Sequence, residues 1–476
     1  MAQKKPQNKP QNKLQNKPKN AREVALEVLN KFDKGAQNIS AILNEFLPQT
    51  KQRAHATDLV CGVIRNRMAI DMIMSKIAAV PIKKIDRKAI NVLRIGTYEI
   101  VFVPSTAEYA IVNSLVSIAG STAGKKQSGF ANAVLRTICT NIENRDVELT
   151  DENIQKVFPH AVQRGCEFKT PFLASPEKNE VEYLNKAFSM PKWFLTACLE
   201  EFGPEMTKDI CCASNRRPGI YLKPNTLKTT FEGFGKMLSN HEIEAKSLPE
   251  IEMFKLKSHI HISEIEGYQD GLFFVQDPTA AKVSRILDPS PGQTIVDFCS
   301  APGGKTMHIA QLMGGKGKVL ATDIDSKRLE KVEENACRLG TSSVEVVEYD
   351  DLPYILAAED DCDAILLDVQ CSNTGVLARR CEVRLRMKPK KLDAMGETQY
   401  ELLHMATAMV KPHGKICYST CSILKRENSD MIARFLADNP DFKLVTEELT
   451  LPEIEDEEDE NSYDHDGGYV AILARK

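Results

Sequence analysis

The run Thr294–Leu312 constrains the fold most, because a short apolar stretch, a loop of small residues and a helix-like stretch follow one another there. The apolar stretch ends at Asp297, and the loop covers Ser300–Gly304. This order of strand, tight loop and helix places a ligand at the carboxyl end of a parallel strand. Gly303 and Gly304 have no Cβ, so a ligand can approach the backbone closely. The free N–H groups that begin the next helix can face a polar or anionic group.

Two nucleotide-binding motifs nearly fit this loop, and neither is complete. A P-loop needs Gly-x-x-x-x-Gly-Lys-Ser/Thr. Gly304-Lys305-Thr306 supplies the end of that motif, but Cys299 stands where the first glycine must be. The dinucleotide fingerprint Gly-x-Gly-x-x-Gly is absent from the loop. A nucleotide hydrolase is therefore a weak alternative. The other alternative is a glycine turn that joins a strand to a helix and binds no ligand.

Further apolar runs alternate with helical patterns after this loop. They are Lys318–Thr322, Val344–Glu348, Ala364–Leu367 and Lys415–Tyr418. The alternation predicts an α/β class with a largely parallel sheet. Four strand ends carry an acid, namely Asp297, Asp323, Asp350 and Asp368. One such acid is usually a helix N-cap, whereas four in register predict a ligand crevice.

Two cysteines lie in polar loops that follow the last two runs. Cys371 belongs to Asp368-Val-Gln-Cys-Ser-Asn-Thr-Gly375, and Cys421 belongs to Tyr418-Ser-Thr-Cys-Ser-Ile423. The 13 cysteines of this 476-residue chain do not form a disulfide framework. With no signal peptide or long apolar span, we expect reduced thiols, a cytoplasmic location and no membrane association. No cysteine or histidine cluster has metal-ligand spacing, so no metal is expected.

Any single cysteine is more often a small buried hydrophobe than a reactive group. We expect that structural role for Cys61, Cys139, Cys198, Cys337 and Cys417. The loops of Cys371 and Cys421 lie where catalytic groups sit in open α/β sheets, so position favours a catalytic role for these two.

Together these pieces resemble the Sun/RsmB family of RNA 5-methylcytosine methyltransferases, which use S-adenosyl-L-methionine. The segments that carry the resemblance are Asp297–Thr306, Tyr418–Ile423 with Glu427-Asn428, Gln276-Asp277 and Asp466–Ala471. Three segments depart from the family pattern. Cys381-Glu382 stands where the family usually has a proline, Lys425-Arg426 stands where an acid is more usual, and the third departure is the loop after Asp368. The family normally reads Asp-Ala-Pro-Cys-Ser-Gly where this chain reads Asp368-Val-Gln-Cys-Ser-Asn373. The loss of the proline frees φ before Cys371 and restores an N–H there.

The resemblance implies a role for each matching residue. Cys421 would be the thiolate that adds to C6 of cytosine and makes C5 able to accept a methyl group. Asp368 would contact the base edge, and Cys371 would help release the product after methyl transfer. The implied cofactor-binding residues are Cys299, Ser300, Ala301, Pro302, Gly303, Gly304, Lys305, Asp323, Arg328, Asp350 and Asp368. Among them, Asp323 would bind the ribose and Asp350 the adenine end.

The amino-terminal half carries RNA-binding signals rather than chemistry. Residues 1–20 repeat Gln-Asn-Lys and hold six lysines and no acid, which predicts a disordered basic tail. Residues 21–145 have helical periodicity and resemble the NusB-like RNA-binding domain that is fused to some members of the family. The candidate phosphate contacts there are Arg65, Arg67, Arg94 and Arg136, each with a solvated surface charge as the alternative.

The rest of the chain divides into three further parts. Residues 146–184 show little periodicity, which indicates a linker or an insertion. Residues 185–270 resemble the small α+β RNA-binding subdomain of the family, and residues 271–476 its α/β Rossmann-like methyltransferase domain. Near the end, residues 453–460 hold seven acids in eight residues, which predicts a loop extended by self-repulsion.

The resemblance implies a monomeric RNA cytosine-C5 methyltransferase. The NusB-like domain favours 16S rRNA, or a ribosome assembly intermediate, as the RNA partner. Two alternatives remain: methylation of another RNA such as tRNA, and a non-catalytic RNA-binding assembly factor on the same scaffold.

Overall fold

The computed structural model describes residues 18–35, 37–257, 260–358, 361–456 and 458–476. Residues 1–17 of the predicted basic tail therefore lie outside the described residues. The chain divides into two compact units, Met1–Arg145 and Asp146–Lys476. Within the described ranges, no helix is both long and apolar enough to cross a membrane.

The first unit is built from helices. They are α1 (Ala21–Phe32), α2 (Ile39–Phe46), α3 (Arg53–Arg65), α4 (Arg67–Ala78), α5 (Arg87–Phe102), α6 (Glu108–Ala123) and α7 (Lys125–Asn141). A capping box fixes the start of α1, because the side chain of Asn20 accepts from Glu23 N–H and the side chain of Glu23 accepts from Asn20 N–H. Helix α5 is buried over most of its length, so the other helices pack around it.

Three of the four predicted phosphate contacts in this unit are structural, and that prediction is wrong for them. Arg67 and Arg94 are buried, and both pair with Asp33 at 3.1 Å. Arg94 also binds Asp71 through two nitrogens, at 2.8 and 2.9 Å. Arg65 is only 4% exposed. Arg136 alone is exposed, with its side chain on Asn132. Burial keeps the other three away from an RNA backbone.

The second unit begins with two small sheets. Its first elements are β1 (Ile142–Glu148, which spans the division), β2 (Val157–Ala161), β3 (Arg164–Phe168), α8 (Glu180–Ala187), α9 (Lys192–Asn215), β4 (Tyr221–Pro224), α10 (Phe231–Asn240), β5 (Ala245–Leu248), β6 (Met253–Leu256) and β7 (Phe273–Val275). The strand orders are β1–β3–β2 and β5–β6–β4–β7. In the second sheet the described pairs are antiparallel, and α10 covers its apolar face.

Residues 146–184 are more ordered than a linker would be. Strands β2 and β3 form an antiparallel pair. Phe158, Phe168 and Phe172 pack against one another on this pair, with ring centroids 4.7 to 6.1 Å apart. These three rings are spread over 15 residues without a regular period, so the periodicity of the sequence did not reveal the cluster.

The remaining elements form a seven-stranded sheet between helices. They are α11 (Pro278–Leu287), β8 (Thr294–Asp297), α12 (Gly304–Leu312), β9 (Lys318–Ala321), α13 (Ser326–Leu339), β10 (Val344–Val346), α14 (Leu352–Ala358), β11 (Cys362–Asp368), α15 (Val383–Arg386), α16 (Pro389–Thr407), β12 (Val410–Thr420), α17 (Ser429–Asp438), β13 (Phe442–Thr450) and β14 (Gly468–Arg475). The strand order is β10–β9–β8–β11–β12–β14–β13. The first five strands in this order are parallel, and β14 runs antiparallel to both of its neighbours, β12 and β13. The predicted α/β alternation is confirmed.

The acidic run before β14 is a loop, but cations hold part of it. Glu455 accepts a hydrogen bond from Lys246 at 2.6 Å and pairs with Lys255. Both lysines come from the four-stranded sheet, in β5 and β6. Self-repulsion within the run is therefore offset at Glu455 by charges that lie about 200 residues earlier in the chain.

Candidate active site

The loop between β8 and α12 is a tight turn beside open space. Gly303 adopts a left-handed conformation, φ 102°, and its N–H donates to Ser300 O at 2.7 Å. A Cβ added to Gly304 would meet no atom within 4 Å. At the end of β8, Asp297 accepts a hydrogen bond from the Thr306 hydroxyl at 2.7 Å, which ties the strand to the helix. The loop therefore has the room that a ligand would need.

Asp323, which follows β9, and Arg328, which lies in α13, brace this loop. The Asp323 carboxylate is buried and accepts from Ala301 N–H at 3.3 Å and Asp325 N–H at 3.0 Å. Arg328 pairs with Asp323 at 3.3 Å and donates to Ala301 O at 2.6 Å. Asp350 lies apart, in an exposed turn beyond the end of β10. Ribose binding by Asp323 and adenine binding by Asp350 remain predictions.

The polar atoms around the loop suit a cationic ligand with hydrogen-bond donors. Asp297 Oδ1, Ser300 Oγ and Asp368 Oδ1 are buried and have no hydrogen-bond partner within the described part of the chain. Burial raises the pKa of Asp297 to about 7, and the charges of Asp368 and Asp323 add to the rise. A positively charged group among these acids would relieve their repulsion. The sulfonium and amino groups of S-adenosyl-L-methionine fit this requirement.

The two predicted cysteines lie side by side. Strands β11 and β12 are parallel neighbours, with Asp368 opposite Ser419, so the loops that follow them meet at one edge of the sheet. The N–H of Cys421 donates to the Sγ of Cys371 at 3.2 Å. A hydrogen bond from the Cys371 thiol lowers the pKa of Cys421. The same bond, together with burial, raises the pKa of Cys371. Cys421 is therefore the better thiolate of the pair.

Lys305 links the ligand loop to these cysteines. Its ammonium lies 2.7 Å from Asp368 Oδ2, at the end of β11. Burial opposes the charged form, but the charge and hydrogen bond of Asp368 and the charges of Cys421 and Asp297 together outweigh burial and raise the pKa of Lys305. Its positive charge in turn favours the Cys421 thiolate. The sequence assigned Lys305 to the cofactor loop and gave no sign of its pairing with a residue 63 positions away.

A small pocket of about 50 Å³ opens beside Cys421. Its lining includes Lys305, Thr420, Cys421, Asp277, Asp466 and Val376. Arg379 holds two acids of this lining, because its guanidinium binds Asp466 at 2.6 Å and Asp277 at 2.8 Å. The sequence singled out the segments of both acids but gave no signal for Arg379, because its partners lie 87 and 102 residues away.

The cysteines that were expected to be small buried hydrophobes divide into three groups. Cys198 and Cys417 are buried, as predicted, and Cys61 and Cys139 are half-buried. Cys337 is exposed on α13, so the prediction is wrong there. The helical period of α13 puts Leu329 and Val332 on the buried face and Cys337 on the other.

Comparison with known proteins gives the same assignment over most of the chain. A family model described as 16S rRNA methyltransferase RsmB/F matches residues 284–474. Models of the NusB family and of the RsmF/B-like ferredoxin-like domain match residues 19–140 and 190–262.

Individual proteins match over longer spans. The probable ribosomal RNA small subunit methyltransferase B of Synechocystis sp. is 30% identical over 405 residues, which is 84% of either chain. The ribosomal RNA small subunit methyltransferase B of Klebsiella pneumoniae is 29% identical over 429 residues, 89% of this chain and 91% of the relative. The solved structure of PH0851 shares the fold, with a TM-score of 0.73 at 23% identity over 95% of this chain and 98% of that one.

These matches confirm the predicted family, the predicted fold class and S-adenosyl-L-methionine as the cofactor. The glycine loop, the strand-end acids and the paired cysteines thus lie within the matched methyltransferase region. The chain belongs to the RsmB/F family of 16S rRNA methyltransferases, which methylate RNA with S-adenosyl-L-methionine.

Proposed function

We propose that this protein methylates C5 of a specific cytosine in 16S rRNA through a covalent bond between Cys421 and C6 of the base. The observation that carries the proposal is the paired-cysteine geometry, with Cys371 Sγ 3.2 Å from Cys421 N beside the Lys305–Asp368 ion pair. A lone thiol would fit many roles. A thiol with a lowered pKa, a second thiol and a carboxylate together fit addition to a pyrimidine and later elimination.

Each residue has one task in this proposal. The Cys421 thiolate attacks C6, and its electron pair makes C5 nucleophilic. Asp368 contacts the base edge and supports protonation of N3, while Lys305 holds the Asp368 carboxylate in place at 2.7 Å. When bound, S-adenosyl-L-methionine supplies the methyl group as an electrophile. The C5 proton is then lost to solvent water, the electron pair of the C5–H bond forms the C5–C6 double bond, and the Cys421 thiolate leaves C6. Cys371 assists this release.

The cofactor would lie along the loop that joins β8 to α12. Residues 299–305 would surround its methionine portion, with Asp323 at the ribose and Asp350 at the adenine end. Arg328 would act by holding Asp323 and the Ala301 carbonyl in place, as its bonds at 3.3 and 2.6 Å suggest. The buried polar atoms around this loop that have no partner among the described residues support the assignment.

Methyl transfer by the Cys421→Ala variant tests whether Cys421 is the nucleophile. The purified variant is incubated with labelled S-adenosyl-L-methionine and 16S rRNA, and the methylated position is read by bisulfite sequencing. We expect no transfer, because no thiolate then adds to C6, and unchanged cofactor binding. Cys337→Ala is the matched control, since that thiol is exposed on α13, and it should transfer normally. Methylation by Cys421→Ala would refute the assignment, and methylation of tRNA instead of 16S rRNA would refute the substrate.

Cys371→Ala tests the release step. With Cys421 intact and its partner removed, we expect a covalent RNA–protein adduct to accumulate, visible as a slowly migrating band on a denaturing gel. Adding Cys421→Ala to this variant should remove the band. Full turnover by Cys371→Ala without any adduct would show that Cys371 takes no part in release.

A further inference from the structure

One buried carboxylate connects the loops of the two cysteines. Glu427 is 1% exposed and lies in a short turn between β12 and α17. Its Oε1 accepts from Ser372 N–H at 2.8 Å and from the side-chain amide of Gln399 at 3.3 Å. Its Oε2 accepts from the hydroxyls of Ser372 and Ser422, the latter at 2.6 Å. Four donors thus converge on a group that, when ionised, has about four lone-pair positions and no proton to give.

These donors flank both cysteines. Ser372 directly follows Cys371, and Ser422 directly follows Cys421. Thr374 closes the arrangement, because its hydroxyl lies 3.1 Å from that of Ser372 and 2.9 Å from that of Ser422. The two loops therefore share one network of hydrogen bonds, and Glu427 is its only charged member among the described residues.

The other side of the Cys371 loop is held through the same carboxylate. The Gln399 amide donates to Gln370 O at 2.9 Å as well as to Glu427. Gln370 precedes Cys371, so bonds fix the backbone on both sides of this cysteine. Charge–dipole hydrogen bonds to a buried carboxylate are among the stronger ones in proteins, and removing the charge weakens all four together.

We propose that Glu427 is a positioning residue that fastens the Cys371 loop to the Cys421 loop and so keeps the two thiols in contact during the reaction. The expected effect of Glu427 on methyl transfer rests on the proposed function, whereas its effect on the positions of the two thiols does not. The positioning role differs from a purely structural role, in which Glu427 would stabilise the fold without affecting the chemistry of either thiol.

The Glu427 carboxylate also affects which of the two thiols loses its proton more readily. The Cys421 bond and burial are the larger causes of the raised pKa of Cys371, and the charge of Glu427 adds to them. The groups that face Cys421 are Cys371, Asp368, Lys305 and Asp466. The pH dependence of Cys421 alkylation therefore reports its contact with Cys371, because the charges of Asp368, Lys305 and Asp466 are the same in the variants that are compared.

The test compares Glu427→Gln with Glu397→Gln. Glutamine keeps the shape of Glu427 but removes its charge and one acceptor. Glu397 is an exposed residue of α16 whose carboxylate pairs with Arg434 at 2.9 Å rather than with a member of the network, so it controls for the substitution itself. Both full-length variants and the wild type are alkylated with iodoacetamide over a range of pH, and labelling of each cysteine is measured by peptide mass spectrometry. Methyl transfer to 16S rRNA is measured in parallel.

We expect the Glu427→Gln labelling curve of Cys421 to move to higher pH by about one unit, equivalent to about tenfold less thiolate at neutral pH. Labelling of Cys371 should rise as its loop loosens. The kcat for methyl transfer should fall about tenfold or more while KM for S-adenosyl-L-methionine stays within about twofold, because the cofactor loop is untouched. Glu397→Gln should match the wild type in each respect.

A folded Glu427→Gln protein with wild-type labelling curves and kcat would overturn the proposal, even if its melting temperature fell. If that variant does not fold, Ser422→Ala removes one donor and is measured in the same way, and unchanged curves there overturn the proposal equally. Alkylation needs no RNA. A wild type that shows the expected thiol pair but methylates no RNA would therefore refute the proposed function and leave the positioning role standing.

Discussion

Replacing Asp297 with asparagine is expected to remove a pH-dependent destabilisation of the second unit. Asp297 is 1% exposed. Burial raises its pKa from an ordinary 3.8 to about 7, the Thr306 hydroxyl partly opposes the rise, and the charge of Asp368 adds to it. Asparagine has nearly the same shape and its carbonyl can accept the same hydrogen bond from Thr306. The substitution therefore tests the charge alone.

The sign and size of the effect follow from proton linkage. Between pH 3.8 and pH 7 the folded protein keeps a proton on Asp297 that the unfolded chain releases. The free energy of unfolding therefore falls as the pH rises through this window and stays lower above it. A shift of about three pKa units, at about 1.4 kcal/mol each, corresponds to about 4 kcal/mol in total. About 3 kcal/mol of this falls between pH 5 and pH 8.

The measurement is urea unfolding at pH 5 and at pH 8, followed by tryptophan fluorescence. The sequence has one tryptophan, Trp193 in α9, so the signal reports the second unit. We expect the stability of Asp297→Asn relative to the wild type to rise by about 3 kcal/mol from pH 5 to pH 8. Asp270→Asn, at an exposed position, should show no such change. If Asp297→Asn loses as much stability as the wild type over this interval, Asp297 is ionised in the folded protein at both pH values and the reasoning fails.

Two further predictions concern buried cations. Arg94→Met leaves Asp33 and Asp71 without this partner and should destabilise the first unit by about 3 kcal/mol, the lower end for a broken buried pair because both acids are partly exposed. Thermal unfolding measures this loss, and weaker RNA binding with unchanged stability would contradict it. Lys305→Met removes the ammonium that favours the Cys421 thiolate and should move the alkylation curve of Cys421 to higher pH by about one unit. An unchanged curve would show that the charge of Lys305 does not set the reactivity of Cys421.

The sheet could be predicted where the chain alternates between short apolar runs and helical patterns. The predicted run Lys318–Thr322 became β9, Lys318–Ala321, because a buried parallel strand needs an unbroken apolar stretch. Strand β13, Phe442–Thr450, was not predicted. It lies at the sheet edge and most of its side chains are exposed, so it has no apolar run to detect.

The candidate site could be predicted only as far as local motifs reach. The loop Ser300–Gly304 and the positions of Cys371 and Cys421 follow from the order of strands, since the carboxyl ends of parallel strands meet at one edge. The ion pairs of Lys305 and Arg379 do not follow, because the partners are 63 to 102 residues away. In the first unit the same limit made Arg67 and Arg94 look like surface charges, although Asp33 lies 34 and 61 residues before them.

The departure from the family pattern around Cys371 shows how hydrogen bonds can replace a rigid residue. A proline before Cys371 would fix φ and carry no N–H, whereas this chain has Gln370. Here the Val369 N–H donates to Ser419 O at 3.0 Å and Gln370 O accepts from Gln399 at 2.9 Å, so the backbone is held from two sides. Asn373 stands where the family has glycine and adopts φ 58°, a left-handed conformation that asparagine tolerates better than most residues. The loop therefore holds Cys371 against Cys421 through contacts that no local motif records, and the missing proline is no argument against catalysis.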